Sequence, residues 1–355
     1  MVTAGPLLFR LAPPPVKGLT LMASRRYAVI GIATTVGTVI LTFSAVEVAL
    51  RAAGFRYELR VHVIESTAPE AEDVRKGFSV DRQLIWVDNG YYARLSEARS
   101  RRIDIVYLGD SCTQFGAYDR IFAGLVEKET GSAVSSVKLG VAGWTTHQGL
   151  RQMERDVVSL RPCVVTICYG WNDHWLSIGL SDREIERINR SALGRIQSLR
   201  IGQLLLESYV ALVRDKDHPV IRVSEEEFRE NLIAMIDAAQ GVGAVPVLMT
   251  APSSHRPGHE PAYLAGRWVA RLSDLVPLHR RYVAIVRRVA AEKGVLLCDL
   301  AARFDSIASP DARDACFFRD GIHYTGEGNA RTARWLFECF RNDPSADVCF
   351  VDAER

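Results

Sequence analysis

From Ile103 onward, short Val/Ile-rich runs alternate with helix-patterned segments, and this alternation restricts the fold more than any other feature of the chain. The strand-like runs are 103–108, 135–139, 164–169, 246–250 and 295–298. The helical patterns lie between them at 118–129, 145–160, 224–240 and 278–293. Runs this short and this apolar cannot leave one face in water, so they predict parallel strands covered by helices on both sides. Local signals agree. Ser224 followed by Glu227 predicts a capping box, and Gly241 and Gly243 punctuate that helix's end. Tyr282, Ile285, Val286 and Val289 share one helical face.

In an open parallel sheet, functional groups collect outside the carboxyl ends of the strands. The first strand is followed by Gly109-Asp110-Ser111 and the second by Gly140-Val141-Ala142-Gly143-Trp144-Thr145. The third is followed by Gly170-Trp171-Asn172-Asp173. Near the C-terminus comes Asp320-Gly321-Ile322-His323, with a helix beginning near Thr325.

Those segments hold the parts of an acyl-transfer site. A serine hydroxyl needs a base to take its proton, and His323 suits Ser111. Asp320, three residues before it, is the candidate carboxylate to fix the imidazole tautomer. The backbone N–H of Ser111, the backbone N–H of Gly143 and the side-chain amide of Asn172 would supply an oxyanion hole. Asp110 and Asp173 read as turn or network residues. Asp299 is the lesser candidate for the acid, being far from His323 in sequence.

These four stretches, in this order, resemble the four blocks of the SGNH (GDSL-type) hydrolase family, of the membrane-anchored bacterial type. The supporting text is GVAGWTTHQGL, YGWND and DGIHYTGEGN. Ser111 matches the block-one serine, Gly143 the block-two glycine and Asn172 the block-three asparagine, while Asp320 and His323 match the last block. Gly140 is a second candidate for the block-two glycine. The resemblance covers about residues 103–340 and implies a three-layer α/β sandwich around a mainly parallel, flavodoxin-like five-stranded sheet. Two positions depart from the pattern: Cys112 stands where Leu is expected, and Lys138 where Asn often precedes the block-two glycines.

The implied activity is hydrolysis of an acyl ester, short-chain or acetyl, through an acyl-enzyme. O-acyl transfer to an envelope polysaccharide and an inactive anchored binding module are the alternatives. Acylated glycans, lipids and small esters are the substrate classes. Trp144, Trp171 and His174 flank the motifs and are candidate walls of the substrate pocket.

Ahead of this domain, residues 27–46 run twenty positions without a charge, long enough to span a bilayer as a helix. Arg10, Lys17, Arg25 and Arg26 precede it with no acidic residue, which favours an inward N-terminus. A signal-anchor helix is expected, with the catalytic part outside the cytoplasm. A cleaved signal peptide, a twin-arginine signal and a buried core helix fit less well. The domain reading is a basic tail (1–26), an anchor (27–50), a stalk or lead-in (51–102), a catalytic domain (103–345) with an insertion at 174–222, and a C-terminal tail (346–355). The insertion, with a Leu-rich helical piece at 201–213, is expected to form a lid or substrate wall.

The formal net charge is only +2 and the basic residues are scattered, so nucleic acid is not an expected partner. Seven cysteines without a C-x-x-C indicate no zinc site, and Pro257 and Gly258 break any helix that would pair His255 with His259. No metal or cofactor is expected. Free buried thiols are the default reading; if the domain is exported, one pair among Cys316, Cys339 and Cys349 is the candidate disulfide.

Overall fold

All five expected strands form in the computed structural model, which describes residues 17–59, 63, 77–266 and 268–343. They are β3 (Ile105–Gly109), β4 (Ser136–Lys138), β5 (Val164–Cys168), β6 (Val245–Met249) and β7 (Leu296–Cys298), numbered after an N-terminal hairpin described below. Every pairing is parallel, in the order β4-β3-β5-β6-β7. Alternation along each strand divides the core in two. Val106, Leu108, Val165, Ile167 and Leu248 enter one apolar cluster, and Ile105, Tyr107, Val164, Val247 and Met249 enter the other. Burial on both faces is why these strands read as unbroken apolar runs.

The helices α4 (Tyr118–Thr130) and α13 (Gly326–Arg341) cover one face. On the other lie α5 (Thr146–Gln152), α9 (Glu225–Gly241) and α10 (Leu275–Lys293). The expected stripe of Tyr282, Ile285, Val286 and Val289 is buried there. The strand order changes direction at β3 and β5, which opens a crevice at their carboxyl ends.

The structure differs from expectation in three places. The helix predicted over 145–160 is regular only as α5, then widens to a π-turn (Met153–Val157) and tightens to a 3-10 turn (Val158–Leu160). At α9, Ser224 Oγ accepts from Glu227 N–H at 3.2 Å, but the reciprocal half of the capping box is missing. Glu227 is instead drawn to His147, with Oε1 3.3 Å from Nδ1. Finally, the lead-in contains an antiparallel hairpin, β1 (Phe78–Asp81) and β2 (Ile85–Asp88), followed by α2 (Tyr91–Arg99). Trp86, Tyr91 and Leu95 sit in the main core. The hairpin backs the β4 loop: Trp86 Nε1 donates to Ala142 O at 3.1 Å, and Trp144 Nε1 to Trp86 O at 3.0 Å.

The N-terminal helix α1 (Lys17–Ala52) outruns the uncharged segment at both ends. Its stretch Tyr27–Ala52 has mean hydropathy 2.0 and is exposed, as a signal sequence or an anchor would be. Thr34, Thr35, Thr38 and Thr42 hydroxyls donate to carbonyls one turn back at 2.8–2.9 Å, so the polar groups of this apolar helix are satisfied internally. The C-terminal tail, Cys349 and most of the 61–64 run lie outside the described residues. Cys163 is disulfide-bonded, whereas Cys316 and Cys339 are free, so the expected pair among Cys316, Cys339 and Cys349 does not form.

His147 is buried between two carboxylates, its Nε2 3.0 Å from Glu186 Oε2 as an ion pair and its Nδ1 facing Glu227. Burial opposes its charge, but the two carboxylates outweigh burial and raise its pKa from 6.5 to about 9. A group raised on folding stabilises fully below its unfolded pKa, and that stabilisation is lost as pH climbs through the folded value. The melting temperature is therefore expected to fall from pH 6.5 to 9 in wild type, with a flatter slope in His147→Gln. Equal slopes in thermal melts of the two proteins would refute this.

Candidate active site

Strand β3 delivers Ser111 to the crevice. Asp110 is in extended conformation and its Oδ1 accepts Cys112 N–H at 2.9 Å, capping the short helix α3 (Ser111–Phe115) that Ser111 begins. Asp110 is fully buried, and burial raises its carboxyl to about 6 against the pull of the Cys112 N–H and of His323.

His323 reaches Ser111 from a tight loop before α13. Asp320 builds that loop: Oδ1 accepts Ile322 N–H at 2.8 Å and His323 N–H at 2.9 Å. Its Oδ2 lies 3.0 Å from His323 Nδ1, and His323 Nε2 lies 2.8 Å from Ser111 Oγ. An acceptor carboxylate at Nδ1 assigns the proton to that nitrogen, which leaves Nε2 free to accept from the serine hydroxyl. Burial disfavours the imidazolium, yet the hydrogen bond and charge of Asp320 outweigh it and raise the His323 pKa. Burial likewise pushes the Asp320 carboxyl up, but its bonds to His323 and Ile322 hold it below the ordinary value.

The loop is latched from outside. His255 Nε2 lies 2.7 Å from Asp320 O, and Ser254 N–H donates to Gly321 O at 2.9 Å. Gly321 has φ +76°, and a Cβ there would stand 2.5 Å from His255 Nε2, so only glycine fits.

Opposite the serine, Gly143 turns the chain at φ +79°. Arg222 Nη1 donates to its carbonyl at 2.5 Å, and Arg222 is itself paired with Asp182, Nε to Oδ1 3.1 Å and Nη2 to Oδ2 2.8 Å. The N–H groups of Ser111 and Gly143 have no partner among the described residues. The third expected donor is occupied. Asn172 Nδ2 donates to Asp110 Oδ2 at 3.2 Å and to Trp144 O at 3.0 Å, so it would have to release one contact to serve an oxyanion.

Of the three expected pocket walls, Trp144 and His174 face inward, while Trp171 borders a cavity of about 170 Å³ with His255 and His279. Trp144 and His174 are fully buried, the indole on Trp86 O and the imidazole Nε2 3.0 Å from His279 Nδ1. Trp171 is buried and stacked on His279, with ring centroids 3.7 Å apart. Each finds its polar partner inside the protein, which is why the strand ends turn it into the core. Lys138 points away, to Gly116 O and to Asp119 at 3.3 Å. A Cβ at Gly140 would press Thr113, so this glycine serves packing. Asp299 pairs with Arg287 at 2.7 Å. The Cys112 thiol is buried, and burial pushes its pKa well up.

Sequence reasoning weighed His255 only as a metal ligand and passed over Arg222. His255 follows β6 as Ser111 follows β3, so the strand-end rule carried its signal. Arg222 closes the 174–222 insertion and carried none. Two exposed aromatics also rim the site: the Phe115 ring is 6.1 Å from the His323 ring, and Phe318 N–H donates to His323 O at 2.8 Å.

A family model described as the GDSL-like Lipase/Acylhydrolase family matches residues 107–331. Comparison with curated proteins gives no match. Among solved structures, the chain is similar to a lipase/acylhydrolase from Enterococcus faecalis, at 17% identity over 66% of this chain and 94% of that one, TM-score 0.44. It is also similar to a putative GDSL-like lipase from Parabacteroides merdae, at 16% over 67% and 95%, TM-score 0.46. An acetylxylan esterase from Geobacillus stearothermophilus matches at 16% over 66% and 91%, TM-score 0.40.

The raised His323 pKa sets a pH expectation. Only the neutral imidazole accepts the Ser111 proton, so labelling of Ser111 by a fluorophosphonate should accelerate with pH through a midpoint above 6.5. In Asp320→Asn that midpoint should move down and the plateau rate should fall. A wild-type midpoint at or below 6.5 would contradict the assignment.

Proposed function

Because the chain belongs to the GDSL-like lipase/acylhydrolase family, whose members hydrolyse ester bonds, we propose that it is a serine esterase using Ser111, His323 and Asp320 on a short-chain acyl ester. One observation carries this reading: the unbroken line from Ser111 Oγ through His323 to Asp320 Oδ2, at 2.8 and 3.0 Å. Ser111 Oγ attacks the acyl carbon as its proton passes to His323 Nε2, and Asp320 balances the resulting imidazolium. The Ser111 and Gly143 N–H groups receive the oxyanion, joined by Asn172 once it leaves Asp110. His323 returns the proton to the departing alkoxide. Water then repeats the sequence on the acyl-enzyme and frees the acid. Phe115 and Phe318 offer apolar contact to the substrate at the rim.

The domain reading follows the same line. Residues 103–345 form the catalytic domain, 51–102 its lead-in, and α1 a single-pass anchor that holds the domain outside the cytoplasm. The disulfide at Cys163 supports an oxidising compartment.

Ser111→Ala is expected to lower kcat/KM on p-nitrophenyl acetate by roughly a thousandfold or more with no change in melting temperature. The wild type should prefer acetate and butyrate esters to decanoate and release free acid. Retained turnover in the variant would sink the mechanism, and preference for decanoate would sink the short-chain assignment. For topology, protease added to intact cells should degrade the domain while carbonate extraction leaves the full-length chain in the membrane. Release of a shortened, soluble chain would show a cleaved signal instead.

A further inference from the structure

A cleft of about 810 Å³ lies away from Ser111, where the end of α1 meets the body of the protein. Its walls come from the residues after α1, from the β1–β2 turn, and from the insertion helices α6 (Asp182–Arg190), α7 (Ala192–Arg195) and α8 (Arg200–Val213). Among the described residues, six arginines line it (Arg51, Arg56, Arg82, Arg190, Arg195 and Arg200) against a single carboxylate, Glu58. Three of the six are neutralised locally: Arg51 by Glu47 at 2.7 Å, Arg56 by Glu58 at 2.8 Å and Arg190 by Glu186 at 3.2 Å. Arg82, Arg195 and Arg200 have no carboxylate partner among the described residues. Arg200 Nη1 donates to the neutral Gln203 Oε1 at 2.9 Å, which leaves its charge uncompensated, and uncompensated guanidinium groups lining one cleft repel each other unless an anion joins them.

A second observation points the same way. Asn189, also in the wall, is 6% exposed, and neither its Oδ1 nor its Nδ2 has a hydrogen-bond partner among the described residues. A buried amide donor without an acceptor costs free energy that a bound oxyanion accepting from Nδ2 would recover. Arginine forks and an amide together suit phosphate oxygens.

The cleft's position narrows the source. Glu47 Oε2 accepts Ile201 N–H at 2.9 Å, and Tyr57 N–H donates to Gln203 Oε1 at 3.1 Å, so α8 is tied to the end of α1. On α8, Leu205, Tyr209 and Leu212 share one face at i, i+4 and i+7 and are 45%, 45% and 81% exposed. An exposed apolar stripe beside a cationic cleft, at the foot of a helix long enough to cross a bilayer, matches the layering of acyl chain and headgroup.

We propose that this cleft binds the phosphate group of an anionic phospholipid from the bilayer that α1 enters. The phosphate chemistry rests on the arginines and Asn189 alone; the lipid source also rests on the anchoring reading above.

The test uses the full-length chain in neutral maltoside micelles, titrated separately with dioctanoyl phosphatidylglycerol, dioctanoyl phosphatidylcholine and glycerol 3-phosphate. Binding is read by native mass spectrometry and by thermal shift. Phosphatidylglycerol should bind more tightly than phosphatidylcholine, and Arg82→Gln/Arg195→Gln should weaken it by roughly tenfold or more, with partial rescue in the double Lys variant. Turnover of p-nitrophenyl acetate should stay at the wild-type rate in both variants, which separates this site from the serine centre. Glycerol 3-phosphate binding as tightly as phosphatidylglycerol would overturn the lipid source. Equal phosphatidylglycerol affinity in wild type and the Gln variant would overturn the site.

Discussion

The buried pair Arg222–Asp182 holds more of this molecule in register than any other contact. Both side chains are 1% exposed, and between them they join the two ends of the insertion. Asp182 also accepts from Thr145 Oγ1 at 2.8 Å and Gln148 Nε2 at 3.2 Å, which ties it to the start of α5. Arg222 spends its remaining nitrogen on the Gly143 carbonyl. A desolvated ion pair contributes little net stability unless its other hydrogen bonds are made, and here they are. Removing either partner would strand a charge beside the loop that turns at Gly143. The insertion thus acts first as a brace behind that loop, whatever its outer helices α6 to α8 do.

The Ser111 side of the crevice is held differently. Its elements come from β3 and from the loop before α13, and nothing in the local chain joins them. The His323–Ser111 contact spans the crevice, and two supports keep it in reach. Asp320 orders its own loop through two backbone N–H groups, and the segment after β6 grips that loop at Asp320 O and Gly321 O. Two strand ends and the loop before α13 therefore meet at the Ser111–His323 contact, in the crevice that a parallel sheet with a central change of strand order makes available.

The sheet was legible because each strand is buried on both faces, so composition alone marks it. Strand ends were then a map to Ser111, Gly143 and Asn172, and loop spacing brought Asp320 to His323. What stayed hidden depended on distant partners. The β1–β2 hairpin carries acids that read as a solvated linker, but Asp88 pairs with Arg94 and Asp81 with Arg155. Its turn also sets Ile85 at φ +67°, a conformation that no residue type in the stretch announces. Trp144, Trp171 and His174 neighbour motif residues, but their orientation is not written in the local sequence. Which way a side chain leaves a strand-end loop is decided by where its polar atom finds a partner, and those partners (Trp86, Pro252 and His279) are remote in sequence. Glu227 was claimed by His147 for the same reason.

The hydrogen bonds from Ile201 N–H to Glu47 and from Tyr57 N–H to Gln203 fasten α8 to the end of α1. Were α1 to enter a bilayer, these two bonds would hold the domain close to it rather than on a free tether. Anchored in that way, an esterase of the kind proposed would search a surface rather than a volume, and the esters within its reach would be those displayed close to the lipid.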